Sequence, residues 1–147
     1  MSRSWAGFTL GFTLLGSLLG QAPGTPVRSE IDYFRHVFMA IGNLEDPASD
    51  LQRREKAMVR QFGLNPVQAQ ALHAVAGEFR TGLAGIRTAA TSVLVASRGT
   101  LTDADRGRLN ELAADRGRLV ERLAARLMKD LGPEAAERLR APLRSGR

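Results

Sequence analysis

Positions on one helical face recur at steps of three or four residues through the middle of the chain. The series follows Asn65-Pro66, a cap residue and a proline that are typical of a helix start. We therefore predict one long helix over residues 66–98, with Gly99 as its stop signal. The positions in the series are Leu72, Val75, Phe79, Leu83, Ile86, Ala90, Val93 and Ser97.

The back of this predicted helix three carries small or mildly apolar side chains. No charged residue occurs between Thr88 and Ser97. A solvated helix face is normally polar or charged, so we expect this back to be covered. Another helix of the same chain is favoured as the cover, with a second subunit as the alternative. The back consists of Gly77, Thr81, Ala84, Gly85, Thr88, Ser92 and Val95.

Four other helices are predicted around helix three. Helix one covers residues 30–42 and helix two covers residues 47–62, where Gly63 ends it. Helix four begins after the capping box of residues 102–105 and runs to about residue 131. Gly132-Pro133 ends helix four and begins a short last helix, which Pro142 stops.

The fold class predicted from these segments is all-α. No segment alternates polar and apolar residues in the way a half-buried strand does. Helices three and four are joined only by Gly99-Thr100-Leu101, and short connections favour antiparallel neighbours. We therefore expect a small helical bundle built on a long antiparallel helical hairpin, with the remaining helices covering that hairpin.

The first 24 residues have the layout of a secretory signal peptide. A short positive start with Arg3 precedes the apolar run of residues 6–19, and small residues and Pro23 follow. As a helix this run would be about 21 Å long, shorter than the ~30 Å hydrocarbon core. We predict a signal peptide over residues 1–24, a helical domain over residues 25–147, and a periplasmic or secreted location.

The composition narrows the chemistry of the chain. It has no cysteine and only two histidines, His36 and His73, which lie 37 residues apart. A metal site needs three or four ligands, and we predict none. Motifs of serine hydrolases, zinc proteases, phosphate loops and dinucleotide-binding folds are missing. We therefore predict no catalytic residues, no cofactor and no enzymatic activity. Export also argues against a nucleic-acid partner, and membrane contact is expected only through the signal peptide before cleavage.

Basic side chains form a stripe on predicted helix four. At 100° per residue they fall within about 80° of the helix circumference, and the second half of the stripe holds no acid. This half is our candidate partner-binding surface, and a solvated helix face is the alternative interpretation. Arg116 instead projects into the leucine face, where it must snorkel or pair with an acid from helix one or two. The candidate residues are Arg118, Arg122, Arg126 and Lys129.

Several segments resemble an uncharacterised group of small secreted, all-helical bacterial proteins. This resemblance covers most of residues 30–140 and implies export and a helical bundle, with no activity attached. The segments that carry it are Tyr33-Phe34-Arg35-His36-Val37, Arg60-Gln61-Phe62-Gly63-Leu64, Ala71-Leu72, Arg116-Gly117-Arg118-Leu119 and Leu131-Gly132-Pro133-Glu134.

Three segments resemble the LTxxQ motif of periplasmic stress chaperones of the Spy and CpxP type. The first keeps the motif's glutamine and the second its threonine. The resemblance implies a thin helical cradle, usually dimeric, that holds unfolded client proteins. The three segments are Leu64-Asn65-Pro66-Val67-Gln68, Leu101-Thr102-Asp103-Ala104-Asp105 and Leu131-Gly132-Pro133-Glu134-Ala135.

The leading interpretation is an exported, non-enzymatic helical binding protein, chaperone-like or related to envelope stress. Its partner would be another protein or an unfolded client. One alternative is a structural or assembly subunit that forms a homodimer through helix three. The other is a metal-responsive periplasmic sensor that uses His36 and His73.

Overall fold

The computed structural model describes residues 28–145, and this part of the chain contains four helices and no strand. They are α1 (Arg28–Gly42), α2 (Ala48–Gln61), α3 (Pro66–Ala96) and α4 (Asp103–Arg144). The predicted all-α helical bundle is confirmed. The predicted signal peptide, residues 1–24, lies outside the described residues. Within residues 28–145 we find no helix that combines the length and apolar character needed to cross a membrane.

Both long helices begin at the caps that the sequence predicts. The Asn65 side chain accepts a hydrogen bond from the Gln68 backbone N–H at 2.9 Å, and the Gln68 side chain accepts one from the Asn65 N–H at 3.0 Å. Thr102 and Asp105 make the same reciprocal pair at the start of α4. These side chains satisfy backbone donors that a helix leaves free in its first turn, which fixes where α3 and α4 start.

The predicted end of helix four is a break inside α4. Gly132 has φ 76° and ψ 170°, outside helical geometry, while helix resumes at once and continues to Arg144. The predicted break at Gly132-Pro133 and the short last helix after it are therefore confirmed, and α4 consists of two helical segments joined across this kink. The predicted stop at Pro142 is wrong, because the helix ends two residues later. Glycine suits this position because other residues rarely adopt a positive φ.

The core lies where α1 crosses the hairpin of α3 and α4. The rings of Phe34, Phe38 and Phe79 form a chain with centroids 5.5 to 6.0 Å apart. A Cβ built on Gly42 would lie 2.9 Å from the Phe79 ring, so glycine permits this close approach of α1 to α3. Each large apolar side chain buried here contributes about 1.5–3 kcal/mol. The α4 side of the core comprises Leu119, Val120, Leu123, Leu127, Leu131, Ala135 and Leu139.

Within residues 28–145, the other parts of the chain bury only about half the length of the hairpin formed by α3 and α4. In α3, which has 31 residues and is about 47 Å long, Phe79 is the last buried residue. In α4, Leu112 is the only buried residue before Leu119. We call the covered part, with α1, α2 and the end of α4, the head. We call the outer part of the hairpin, residues 83–118, the arm.

The back of α3 is not covered by the rest of residues 28–145. Thr81, Thr88, Ser92 and Val95 are exposed, and a Cβ added at Gly85 would meet no atom within 4 Å. The expectation that this chain's own helices cover that face is therefore wrong. The reason is packing geometry: α1 and α2 pack on other sides of α3, and the end of α4 folds against the head.

Candidate partner-binding surface

The arm exposes large apolar side chains. Leu94 is 51% exposed and Val95 is 71% exposed. Nearby hydroxyls are turned back to their own helix: Ser92 donates to the Thr88 carbonyl at 3.0 Å, and Ser97 donates to the Leu94 carbonyl at 2.7 Å. Because these hydroxyl protons are already used, these two serines are less polar toward a partner than their composition indicates. The stretch of α3 from Thr88 to Ala96 has no charged side chain and exposes apolar groups on a projecting hairpin, which makes it a surface suited to protein contact.

One side of the arm continues the hairpin surface that α1 covers in the head. On α3, this side holds the residues that come after Phe79 at helical steps of four, four, three and four. On α4, it holds the residues that come before Val120 at steps of four, three and four, counted toward the N-terminus. We call this surface the arm face. It consists of Leu83, Arg87, Ala90 and Leu94 on α3, and Leu109, Ala113 and Arg116 on α4.

Arg116 is exposed, and no carboxylate among residues 30–145 lies within ion-pair distance of it. Of the two alternatives for this residue, pairing with an acid of helix one or two is therefore wrong for the described residues. Its neighbours Leu112 and Leu119, four residues before and three after, are buried on the same helix face. Arg116 reaches water because the cover given by α1 ends near Val120.

The predicted cationic stripe is exposed, but it is partly neutralised. Arg118 donates to Asp115 on the same helix. Arg126 donates to Glu78 of α3 and lies 3.5 Å from Asp130. The hydrogen bond that Arg126 donates to Glu78 raises the pKa of Arg126 above its ordinary value.

Arg126 therefore ties α3 to α4, a role that the sequence did not reveal because Glu78 is 48 residues away. Arg122 and Lys129 are the two residues of the stripe for which the described residues provide no carboxylate partner. They remain available for an acidic partner.

The two histidines make separate local contacts. His36 Nδ1 lies 2.7 Å from the Asp32 carbonyl oxygen of its own helix. His73 Nδ1 lies 3.0 Å from Glu55, which links α3 to α2. Between residues 28 and 145 no cluster of three or more histidine, cysteine or acidic residues is arranged to hold a metal ion.

Two of the segments that resemble LTxxQ motifs meet in the head. Gln68, in the first segment, donates from Nε2 to the Leu131 carbonyl of the third segment at 2.9 Å. Arg138 donates to the Phe62 carbonyl at 2.8 Å, close to the same junction. Gln68 thus caps α3 and also satisfies a carbonyl left free by the break at Gly132. These hydrogen bonds hold together the base of the hairpin. The second LTxxQ-like segment, residues 101–105, instead caps α4 at the tip of the arm.

A groove of about 560 Å³ lies between α1 and α4 in the head. Its lining is mainly apolar, and Phe34 and Val120 belong to it. Glu30 and Arg140, at its edge, are bonded to each other at 2.8 Å. This ion pair compensates both of these charges, while Glu121, which also lines the groove, makes no ion pair among residues 30–145.

Comparison with known proteins gives no relative from which a role could be transferred. No family model matches the chain, and no match is found among the curated proteins or the solved structures.

Proposed function

We propose that this protein is an exported, non-enzymatic helical binding protein that holds other proteins on its arm in a chaperone-like way. The observation that carries the proposal is the uncovered outer half of the hairpin, where Leu94 and Val95 are exposed. Because the head encloses the core, the arm offers its apolar surface without exposing that core.

The size of the exposed surface favours weak and reversible binding. Covering the exposed parts of Leu94 and Val95, which are 51% and 71% exposed, contributes about 2–4 kcal/mol, taking about 1.5–3 kcal/mol for a fully exposed side chain. Association costs at least about 4 kcal/mol in lost translational and rotational freedom. The apolar contact alone therefore at most balances this cost. Such a surface suits transient holding of unfolded segments better than a permanent complex.

The experiment is an aggregation assay with the mature protein and a reduced, unfolding client. Leu94→Asp and Val95→Asp place a charge in the proposed contact and should reduce protection severalfold. Val67→Asp is a matched control, because Val67 is a 75% exposed valine at the other end of the same helix. Circular dichroism should show that all three variants remain folded. Equal protection by the wild type and both arm variants would refute the proposal.

The cationic stripe can be tested in the same assay. The double variant Arg122→Glu with Lys129→Glu reverses the two charges of the stripe that have no carboxylate partner among residues 30–145. It should weaken holding of an acidic client and leave a basic client unaffected. Reversal of Arg126 is a poorer test, because it also breaks the contact with Glu78.

Export is supported by the sequence of residues 1–24, which has the layout of a signal peptide. The test is fractionation of cells that produce the full chain, with N-terminal sequencing of the product. We expect a periplasmic or secreted protein that begins at Gln21 or Thr25. An intact N-terminus retained in the cytosol would refute this part of the proposal.

An assembly subunit is the second candidate function, and the back of α3 favours it. Gly77 and Gly85 are open to solvent, so a helix of another copy could approach closely. Sedimentation velocity at high concentration should then show a dimer, and Gly85→Arg should dissociate it. A monomer at every concentration would exclude this candidate.

A further inference from the structure

The arm face carries two arginines, Arg87 and Arg116, and none of its own residues is acidic. Arg87 is neutralised by Glu45, whose Oε1 lies 3.3 Å from its guanidinium. Arg116 has no such partner among residues 30–145. Its neighbours on α4 differ, since Arg108 donates to Glu111 at 2.9 Å and Arg118 donates to Asp115. The uncompensated charge of this surface therefore belongs to Arg116.

Because of its position, Arg116 would lose contact with water when a segment binds to the arm face. It lies on the same helix face as Leu112 and Leu119, so a segment that covers the arm face in the way α1 covers the head would also cover Arg116. A guanidinium taken out of water without a counter-charge opposes binding. A carboxylate on the bound segment removes this penalty and forms a charge-assisted, directional pair with arginine.

We propose that the arm face selects apolar segments that carry an aspartate or glutamate, and that Arg116 is the residue that recognises the carboxylate. This inference rests on the proposed function, which makes the arm the holding surface, and it adds the chemistry of the preferred segment. Leu94 and Ala90 contact the apolar side chains of the segment. Arg116, nearer the head, binds its acid.

The test measures the binding of three fluorescein-labelled peptides to the mature protein by fluorescence anisotropy. The peptides share the same leucines and phenylalanines and differ only in a flanking pair of Glu, Gln or Lys residues. We expect the Glu peptide to bind about fivefold to tenfold more tightly than the Gln peptide, and the Lys peptide to bind most weakly. The preference should shrink in 0.5 M salt, because Arg116 is exposed before binding.

Two variants assign the preference to one side chain. Arg116→Gln should bring the Glu and Gln peptides to equal affinity. Arg108→Gln removes the same charge from the same helix and should keep the preference, since Arg108 is outside the arm face and already bonded to Glu111.

The possible results separate this inference from the proposed function. If all peptides bind equally and Leu94→Asp weakens each of them, the selectivity of Arg116 is refuted and the holding arm stands. If Arg116→Gln keeps the preference for Glu, the recognising residue is another one and the inference is wrong. If no peptide binds and the arm variants protect clients as well as the wild type does, both proposals fail.

Discussion

A methyl group added at Gly82 tests the close contact between α3 and α4 at the base of the arm. A Cβ built there would lie 2.7 Å from Leu119 Cδ2 and 3.1 Å from its Cδ1. Leu119 is only 6% exposed, so its methyl groups cannot move into solvent. The Gly82→Ala variant must therefore shift the two helices apart or force Leu119 from its preferred rotamer.

Two opposing terms decide the size of the effect. Replacing glycine by alanine in a helix interior stabilises by about 1 kcal/mol. Overpacking a well-packed contact costs about 1–3 kcal/mol. Gly85→Ala, three residues further along α3, isolates the first term, because a Cβ there meets nothing within 4 Å. We expect Gly85→Ala to be more stable than Gly82→Ala by about 1–3 kcal/mol, the cost of overpacking.

The measurement is urea unfolding of both variants and the wild type, followed by circular dichroism. Gly85→Ala should raise the midpoint, and Gly82→Ala should lie below it. If Gly82→Ala raised the midpoint as much as Gly85→Ala does, α3 and α4 would not be in close contact at Gly82. The close approach of α3 and α4 where the arm joins the head would then be wrong.

Two further predictions concern the head. Gly132→Ala should destabilise the protein by about 1–3 kcal/mol in the same assay, because φ 76° with ψ 170° is a conformation that only glycine adopts easily; an unchanged midpoint would contradict it. The pKa of Asp46 is lowered, chiefly by its hydrogen bond with Arg54. The stability this pair provides is therefore present above the ordinary carboxyl pKa of about 4 and is lost as the pH falls through the lower, folded-state pKa. Thermal melts between pH 7 and pH 3 should show a smaller decrease in Tm for Asp46→Asn than for the wild type, and equal decreases would contradict the role of Asp46.

The sequence predicted the helices well because their signals are local. The caps at Asn65 and Thr102 each lie within three residues of the groups that they satisfy. The break at Gly132 follows from a glycine-proline pair, which is also a local signal. The length of this break was harder to predict. It depends on what the following helical turn packs against, which the local sequence does not show.

The surface was predicted less completely because its contacts are distant in sequence. The stripe on α4 was placed correctly on an exposed side, but the link from Arg126 to Glu78 spans 48 residues and follows no periodic pattern. The hydrogen bond from Gln68 to Leu131 spans 63 residues. The exposure of Arg116 depends on where α1 ends its contact with the hairpin. Helix periodicity shows which residues share a face, and it does not show how far along that face the cover reaches.

The uneven distribution of apolar volume between head and arm bears on the holding role that we propose for the arm. The head combines four buried phenylalanines with contributions from all four helices. The arm is held by one seam between two helices, in which Leu83, Ile86 and Leu109 are only partly buried. Segments with fewer buried contacts open at lower free energy than the core does. In the function we propose, the arm would therefore adjust its helix spacing to segments of different shape while the head stays folded, and its small side chains would let such segments approach the backbone closely.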